Sequence, residues 1–323
     1  MHSGSQNTVI PLKPRGFCAG VVRAIDIVEV ALSAFGPPIY VRKEIVHNRH
    51  VVDGLAGRGA IFVDEIDEVP SGSRLIYSAH GVAPSVRQAA RERGLRVIDA
   101  TCPLVTKVHL EAIRFAKQHA TILLVGHSDH DEVIGTFGEA PDNTIVVSSP
   151  PDAETVEVPP GSLAYLTQTT LSVDEAQSII SVLERRFPHI QGPPAKDICY
   201  ATENRQQAVK RVASQADLLL IVGSKNSSNS QRLVEVGRQA GMASHLIDDE
   251  RDIAPSWLQS SRNIAVSAGA SAPESVVQQV IRFLQRNGYP TVRDFDVLEE
   301  NVHFPLPAEL RGIQPLTQIS SRP

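Results

Sequence analysis

At 323 residues the chain exceeds one ordinary core and is expected to form two or three domains of the usual ~100–200 residues. Its 31 Lys and Arg are spread among 36 Asp and Glu, for a formal charge of −5, so it lacks the basic stripe that nucleic-acid binding needs. No apolar run nears the ~18–20 residues of a membrane span, residues 1–7 have no charged-then-apolar leader, and three cysteines argue against a disulfide framework, which together predict a reduced, cytoplasmic, enzyme-like protein.

An apolar, strand-like run leads into Arg15-Gly16-Phe17-Cys18-Ala19-Gly20, and an amphipathic helical pattern follows over residues 21–32. The extended run 38–42 leads to a polar turn with His47 and Asn48; the run 74–78 leads to His80 and Gly81, with Pro84 placed to open a helix. The order then recurs. An apolar run leads into Cys102 ahead of a helical pattern over 106–118, residues 120–125 run into a loop with His127, His130 and Glu132, and residues 163–166 run into Thr167-Gln168-Thr169-Thr170 before a helix near Ser172. It recurs once more: an apolar run into Cys199 ahead of a helix over 204–213, residues 217–222 running into Ser227, Ser228 and Asn229, and residues 263–266 running into Ser271, with Pro273 opening the next helix.

The offsets support a threefold repeat. Cys18 to His47 is 29 residues, Cys102 to His130 is 28 and Cys199 to Ser228 is 29; the third loop follows each cysteine after 62, 67 and 72 residues. Strands alternating with helices predict an α/β fold of parallel sheets, here three small domains over residues 8–102, 103–196 and 197–284, with Pro-rich connectors at 149–151 and 191–194. The tail breaks the repeat and is expected to form an arm over 285–315 that packs back on the first domain and frays after Arg311. Ligands of open parallel sheets bind beyond the carboxyl ends of strands. All nine loops lie at such ends, so three units facing one another would bring them to one cavity.

Scattered cysteines are ordinarily small buried hydrophobes, but Cys18, Cys102 and Cys199 hold equivalent places in three repeats. Each is expected at a strand-to-helix turn, where the helix dipole lowers a thiol pKa. A structural zinc site closes with four ligands, so three thiols without a fourth suit an iron–sulfur cluster better. His47, His80, His127 and His130 stand out from the other histidines because each sits in a polar turn after an apolar strand. With Ser227, Ser228, Asn229 and Ser271 they offer short donors at helix starts, which suits a phosphorylated metabolite; no GxxxxGK[ST] or GxGxxG stretch points to a nucleotide. Glu132 is the one carboxylate embedded in this loop set and reads as a proton donor, its pKa raised by a pocket of Thr and Ser. Thr167-Gln168-Thr169-Thr170 reads either as a simple helix cap or as a loop in which Thr169 orients a substrate hydroxyl.

On these stretches, together with Ser78-Ala79-His80-Gly81, Asp99-Ala100-Thr101-Cys102-Pro103, Gly223-Ser224-Lys225-Asn226-Ser227-Ser228-Asn229-Ser230 and Phe304-Pro305-Leu306-Pro307, the chain resembles the LytB family of 4-hydroxy-3-methylbut-2-enyl diphosphate reductases over nearly its whole length. The resemblance implies a trefoil of three pseudo-threefold-related α/β domains around a central [4Fe–4S] cluster. Cys18, Cys102 and Cys199 would hold that cluster, leaving one iron open. His47, His80, Ser227, Ser228, Asn229 and Ser271 would grip a diphosphate, while His130, Glu132 and Thr169 would bind and act on the allylic hydroxyl. It also implies the last reduction of the methylerythritol phosphate isoprenoid route. With no flavin or nicotinamide motif in view, electrons are expected from a separate ferredoxin- or flavodoxin-type protein. Two other readings compete: an iron–sulfur redox sensor without catalysis, and a zinc enzyme hydrolysing a phosphate ester.

Overall fold

Short apolar runs become strands, and most strands hand the chain directly to a helix. This computed structural model describes residues 7–313; the leader reading at residues 1–6 and the arm beyond residue 313, with its expected fraying, lie outside the described residues. The first stretch comprises β1 (Thr8–Lys13), α1 (Ala19–Phe35), β2 (Ile39–Arg42), α2 (Arg49–Ala56), β3 (Ala60–Val63), β4 (Arg74–Tyr77), α3 (Pro84–Glu92) and β5 (Arg96–Asp99). The second comprises α4 (Pro103–Lys117), β6 (Thr121–Val125), α5 (Asp131–Glu139), β7 (Thr144–Val147), α6 (Pro150–Thr155), β8 (Leu163–Thr167) and α7 (Val173–Arg186). The third comprises α8 (Tyr200–Val212), β9 (Leu218–Val222), α9 (Ser228–Gln239), β10 (Ala243–Ile247), α10 (Pro255–Gln259), β11 (Asn263–Ala268) and α11 (Glu274–Arg286), followed by β12 (Thr291–Val292) and β13 (Phe295–Asp296).

These strands form three sheets, ordered β3-β2-β4-β5, β7-β6-β8 and β10-β9-β11-β1-β12, with β13 also paired to β1. Every pairing is parallel. Parallel sheets must be covered on both faces, and alternation along the strands supplies both cores. In β4, Leu75 and Tyr77 pack with Val69 and Ala90 on one side, while Ile76 packs with Ile27, Ile39 and Val41 on the other. In β9, which is buried throughout, Leu218, Leu220 and Val222 face one core while Leu219 and Ile221 face another.

The sheets and the chain order divide the molecule differently. Strand β1, which leads to Cys18, is interior to the third sheet; β5, which leads to Cys102, is the edge of the first; Gln191, ahead of Cys199, bridges Ala164 beside the second. Residues 8–13, within the first unit by chain order, thus belong to the third sheet, where Val9 completes one core and Ile10 and Leu12 the other. Each cysteine therefore lies where the chain leaves one sheet for the next unit. That is why three distant thiols can meet.

Three local expectations need correcting. No strand leads directly into Cys199; Asp197 fixes the approach instead, its carboxylate accepting from Thr167 N–H at 2.9 Å and from Lys107 Nζ at 3.0 Å. The supposed connector at 149–151 starts helix α6, with Ser149 Oγ accepting from Asp152 N–H at 3.2 Å and Pro150 at the first helical position. Pro273 stands just before α11 and not in it. The arm packs back: Leu310 is fully buried in the first core with Leu306 beside it. Arg205, fully buried, donates to Glu300 Oε1 of the arm at 3.1 Å and to Gly16 O at 2.7 Å, so one guanidinium joins the arm, the Cys18 loop and the Cys199 helix.

Candidate active site

Each thiol sits immediately ahead of a helix: Cys18 before α1, Cys102 before α4 and Cys199 before α8. Gly20, in the first turn of α1, brings two of them together. A Cβ built there would lie 2.7 Å from Cys102 Sγ and 3.8 Å from Cys18 Sγ, so a side chain would fill the space the sulfurs share. Cys199 Sγ lies 3.1 Å from Thr202 Oγ1 and accepts from Thr202 N–H at 3.4 Å, and all three thiols line one cavity of about 100 Å³. Three soft donors, one from each unit, around a cradle kept clear by a glycine fit an iron–sulfur group. Gly20→Ala is accordingly expected to displace Cys102 and lower bound iron several-fold with the circular dichroism unchanged; iron analysis after anaerobic reconstitution checks it.

For Cys102 and Cys199 the expected lowering of the thiol pKa by helix ends does not survive burial. Burial pushes Cys102 up to about 12 and Cys199 up to about 11, and the nearby Cys18 thiol adds to both. The N–H groups of Leu104 and Val105, and the hydroxyl and N–H of Thr202, pull back only in part. A bound cationic centre would displace the proton that burial otherwise retains and let the three sulfurs coexist as thiolates.

The rest of the wall mixes polar side chains with apolar ones such as Val21, Val46, Leu104 and Val105. The twelve expected site residues all line this cavity, from all nine loops, and none of its described lining residues is Lys or Arg. Ser227 caps α9, its Oγ accepting from Ser230 N–H at 3.3 Å. Asn229 accepts from Ala270 N–H at 2.9 Å and donates to Thr202 Oγ1 at 3.2 Å, which leaves one amide hydrogen for a ligand. Ser228 Oγ lies 3.2 Å from Thr170 Oγ1, and Ser271 Oγ donates to His47 O at 2.9 Å. The His47 and His80 rings stack at 4.0 Å, and His130 meets them edge-on at 5.7 and 5.9 Å. Burial, then the neighbouring rings, hold His80 well below the usual imidazole range; burial, then His47 and His127, lower His130 to about 4. His130 Nδ1 accepts from Glu132 N–H at 3.2 Å, so the neutral ring carries its proton on Nε2.

Glu132 and Thr169 form a closed pair. Glu132 is 2% exposed; its Oε1 accepts from Thr169 N–H at 2.6 Å and its Oε2 from Thr169 Oγ1 at 2.9 Å. Burial raises its carboxyl to about 7, while these two hydrogen bonds pull it down. Desolvation is thus the cause of the raised pKa, and the Thr lining opposes it, the reverse of the expectation from sequence. His127 does not line the cavity; its Nε2 lies 3.6 Å from Glu175.

Several residues at the site had not been singled out. Gln168 is 1% exposed and donates to Thr170 Oγ1 at 2.8 Å, Thr202 joins Cys199 to Asn229, Tyr200 accepts from Ala19 N–H at 3.2 Å, and Phe304 closes the cavity from the arm. Thr202 was the most visible of them, three residues after a cysteine at a helix start.

Fold and site together define an α/β trefoil protein with one thiol per unit facing a cavity lined by histidines, hydroxyls and an amide. Residues 9–285 match the family model described as LytB protein. The chain is 56% identical over 305 residues to the 4-hydroxy-3-methylbut-2-enyl diphosphate reductase of Acidothermus cellulolyticus, covering 94% of this chain and 90% of that one. It is 53% identical over 313 residues to the Rhodococcus jostii enzyme of the same name, covering 96% and 93%. Among solved structures, the E-1-hydroxy-2-methyl-but-2-enyl-4-diphosphate reductase from Plasmodium falciparum superposes with a TM-score of 0.92 at 41% identity, covering 94% of this chain and 97% of that one. An (E)-4-hydroxy-3-methyl-but-2-enyl diphosphate reductase superposes with a TM-score of 0.61 at 30% identity, covering 87% and 99%. The chain belongs to the LytB family.

Proposed function

We propose that this chain reduces (E)-4-hydroxy-3-methylbut-2-enyl diphosphate to isopentenyl and dimethylallyl diphosphate, the last step of the methylerythritol phosphate isoprenoid route. The observation that carries the reading is the meeting of the three thiols with the Glu132–Thr169 pair in one cavity. Relatives named for this activity, at more than half identity over nearly the whole chain, support it. Cys18, Cys102 and Cys199 would hold a [4Fe–4S] cluster, with one iron free of protein ligands. When bound, that cluster supplies two electrons one at a time together with a Lewis-acidic iron.

The chain's own residues do the rest. His47, His80, Ser227, Ser228, Asn229 and Ser271 bind the diphosphate with neutral donors, imidazoles and the N-terminus of α9. His130 and Thr169 orient the allylic hydroxyl. Glu132, protonated in its buried site, passes its proton to Thr169 Oγ, whose own hydrogen moves to the substrate oxygen. The C–O bond then breaks, water leaves, and a second proton joins either end of the allyl unit. Two electrons and two protons thus enter per product. The electrons come from a ferredoxin- or flavodoxin-type donor, and three unpaired thiols belong in a reducing cytoplasm. No helix among the described residues is long and apolar enough to cross a membrane.

The reading is tested by purifying the protein without oxygen and recording its visible spectrum and metal content. A brown protein with iron and acid-labile sulfide is expected; a colourless zinc protein that releases phosphate would replace the reading with hydrolysis. At the diphosphate end, Asn229→Ala removes a donor to a charged group, worth ~1.5–3 kcal/mol, or roughly ten- to a hundredfold in affinity. Substrate titration checks this, and unchanged affinity moves the diphosphate elsewhere.

A further inference from the structure

Glu44 stands outside the cavity lining, yet its carboxylate reaches two of the loops that line it. Oε2 lies 3.1 Å from His47 Nδ1 and accepts from Asn226 Nδ2 at 2.7 Å, the residue just before Ser227. The side chain is partly exposed, and it spans the first and third units. A carboxylate can only accept. The contact therefore fixes the His47 proton on Nδ1 and leaves Nε2 of the neutral ring with a lone pair.

That tautomer is opposite to the one imposed on His130, whose Nδ1 accepts from a backbone N–H. Neutral His130 can donate from Nε2 to an anion, whereas neutral His47 cannot. His47 can grip a phosphate oxygen through Nε2 only by taking up a proton, and the Glu44 carboxylate is the group placed to balance the imidazolium. Resting on the diphosphate reading above, we propose that Glu44 is a positioning residue that sets His47 so that diphosphate binding takes up one proton at that ring, while holding the Asn226 end of the facing loop.

The groups around His47 agree with this assignment. His80 stacks on it and His130 meets its edge, and both are held neutral, so neither competes for the proton. The Asp131 carboxylate, within 4.8 Å of the ligand atoms of His47 and His80, adds a second negative group that favours the charged ring. Glu44 itself stays below the usual carboxylate range, first through its His47 contact, so it is ionised at neutral pH. The arrangement is a carboxylate–imidazole–anion relay, with His47 between Glu44 and the diphosphate.

The test is calorimetric titration of the cluster-loaded protein with inorganic diphosphate, in two buffers of different ionisation enthalpy, for wild type, Glu44→Gln and Glu44→Ala. Gln keeps the size and can still contact Asn226, but it can donate to His47 Nδ1 and so releases the tautomer. Glu44→Gln is expected to bind diphosphate about ten- to a hundredfold more weakly and to take up about one proton fewer than wild type. In turnover, KM should rise by a similar factor while kcat stays within a few-fold and iron content is unchanged. Equal proton uptake and affinity in wild type and Glu44→Gln would overturn the assignment, as would a loss confined to kcat. A loss in Glu44→Ala that Glu44→Gln fully restores would also overturn it, leaving Glu44 a mere brace for Asn226. If wild type binds no diphosphate in competition with substrate, the diphosphate reading itself fails, which the variants cannot mimic.

Discussion

Glu132→Gln is expected to load iron and bind substrate like wild type, yet to reduce it about 10²–10⁴-fold more slowly, the usual contribution of a positioned general acid. Gln keeps the size of the side chain and its carbonyl still accepts from Thr169, so the pair at 2.6 and 2.9 Å is largely preserved. What is lost is the transferable proton. Burial raises this carboxyl to about 7, so the acid form is abundant at neutral pH and is titrated away above it. Turnover should therefore fall as pH rises through about 7 in wild type, and Gln should flatten that limb. Stability follows the same linkage. Holding the proton favours the folded state at low pH, and this advantage is lost between the unfolded carboxyl near ~4.3 and about 7. Above that pH the Gln variant should melt higher than wild type. If the variant turns over within a few-fold of wild type, another group delivers the proton; if it loses its iron, Glu132 is structural.

Replacing any one of Cys18, Cys102 or Cys199 with Ser should bring iron content and turnover down together, with activity near the detection limit. The geometry gives each thiol a distinct anchor. Cys18 and Cys102 share the cradle at Gly20, while Cys199 is tied to Thr202. Each thiol also stands at a crossing between sheets, so no two units together hold a full set. Iron and sulfide analysis beside turnover checks this. A variant with full activity removes its residue from the ligand set.

The nine loops and their convergence could be read from the sequence because strand, polar turn and helix recur at nearly constant offsets from each cysteine. Periodicity does not report pairing partners. Nothing local in residues 8–13 says that they lie beside β11, because a fully buried strand reads the same in any sheet. Asp197 was equally hidden. Its charge reads as a surface residue, and only its contacts with Thr167 and Lys107 make it the guide into Cys199. The Glu132 carboxyl was legible as a proton donor from its loop, but the sign of the Thr169 effect required knowing which atoms donate. Gly20 and Glu44 act through distances to residues far away in sequence, Cys102 and Asn226, and no pattern in one chain records those.

Counting electrons decides whether the three-thiol cavity carries out a reductive loss of hydroxyl. Cluster-loaded protein is supplied anaerobically with a measured amount of one-electron reductant and excess (E)-4-hydroxy-3-methylbut-2-enyl diphosphate, and products and inorganic phosphate are quantified together. Two electrons are expected to be consumed for each isopentenyl or dimethylallyl diphosphate formed, with no phosphate released. Product formed without electron consumption, or phosphate released in step with substrate loss, would contradict it.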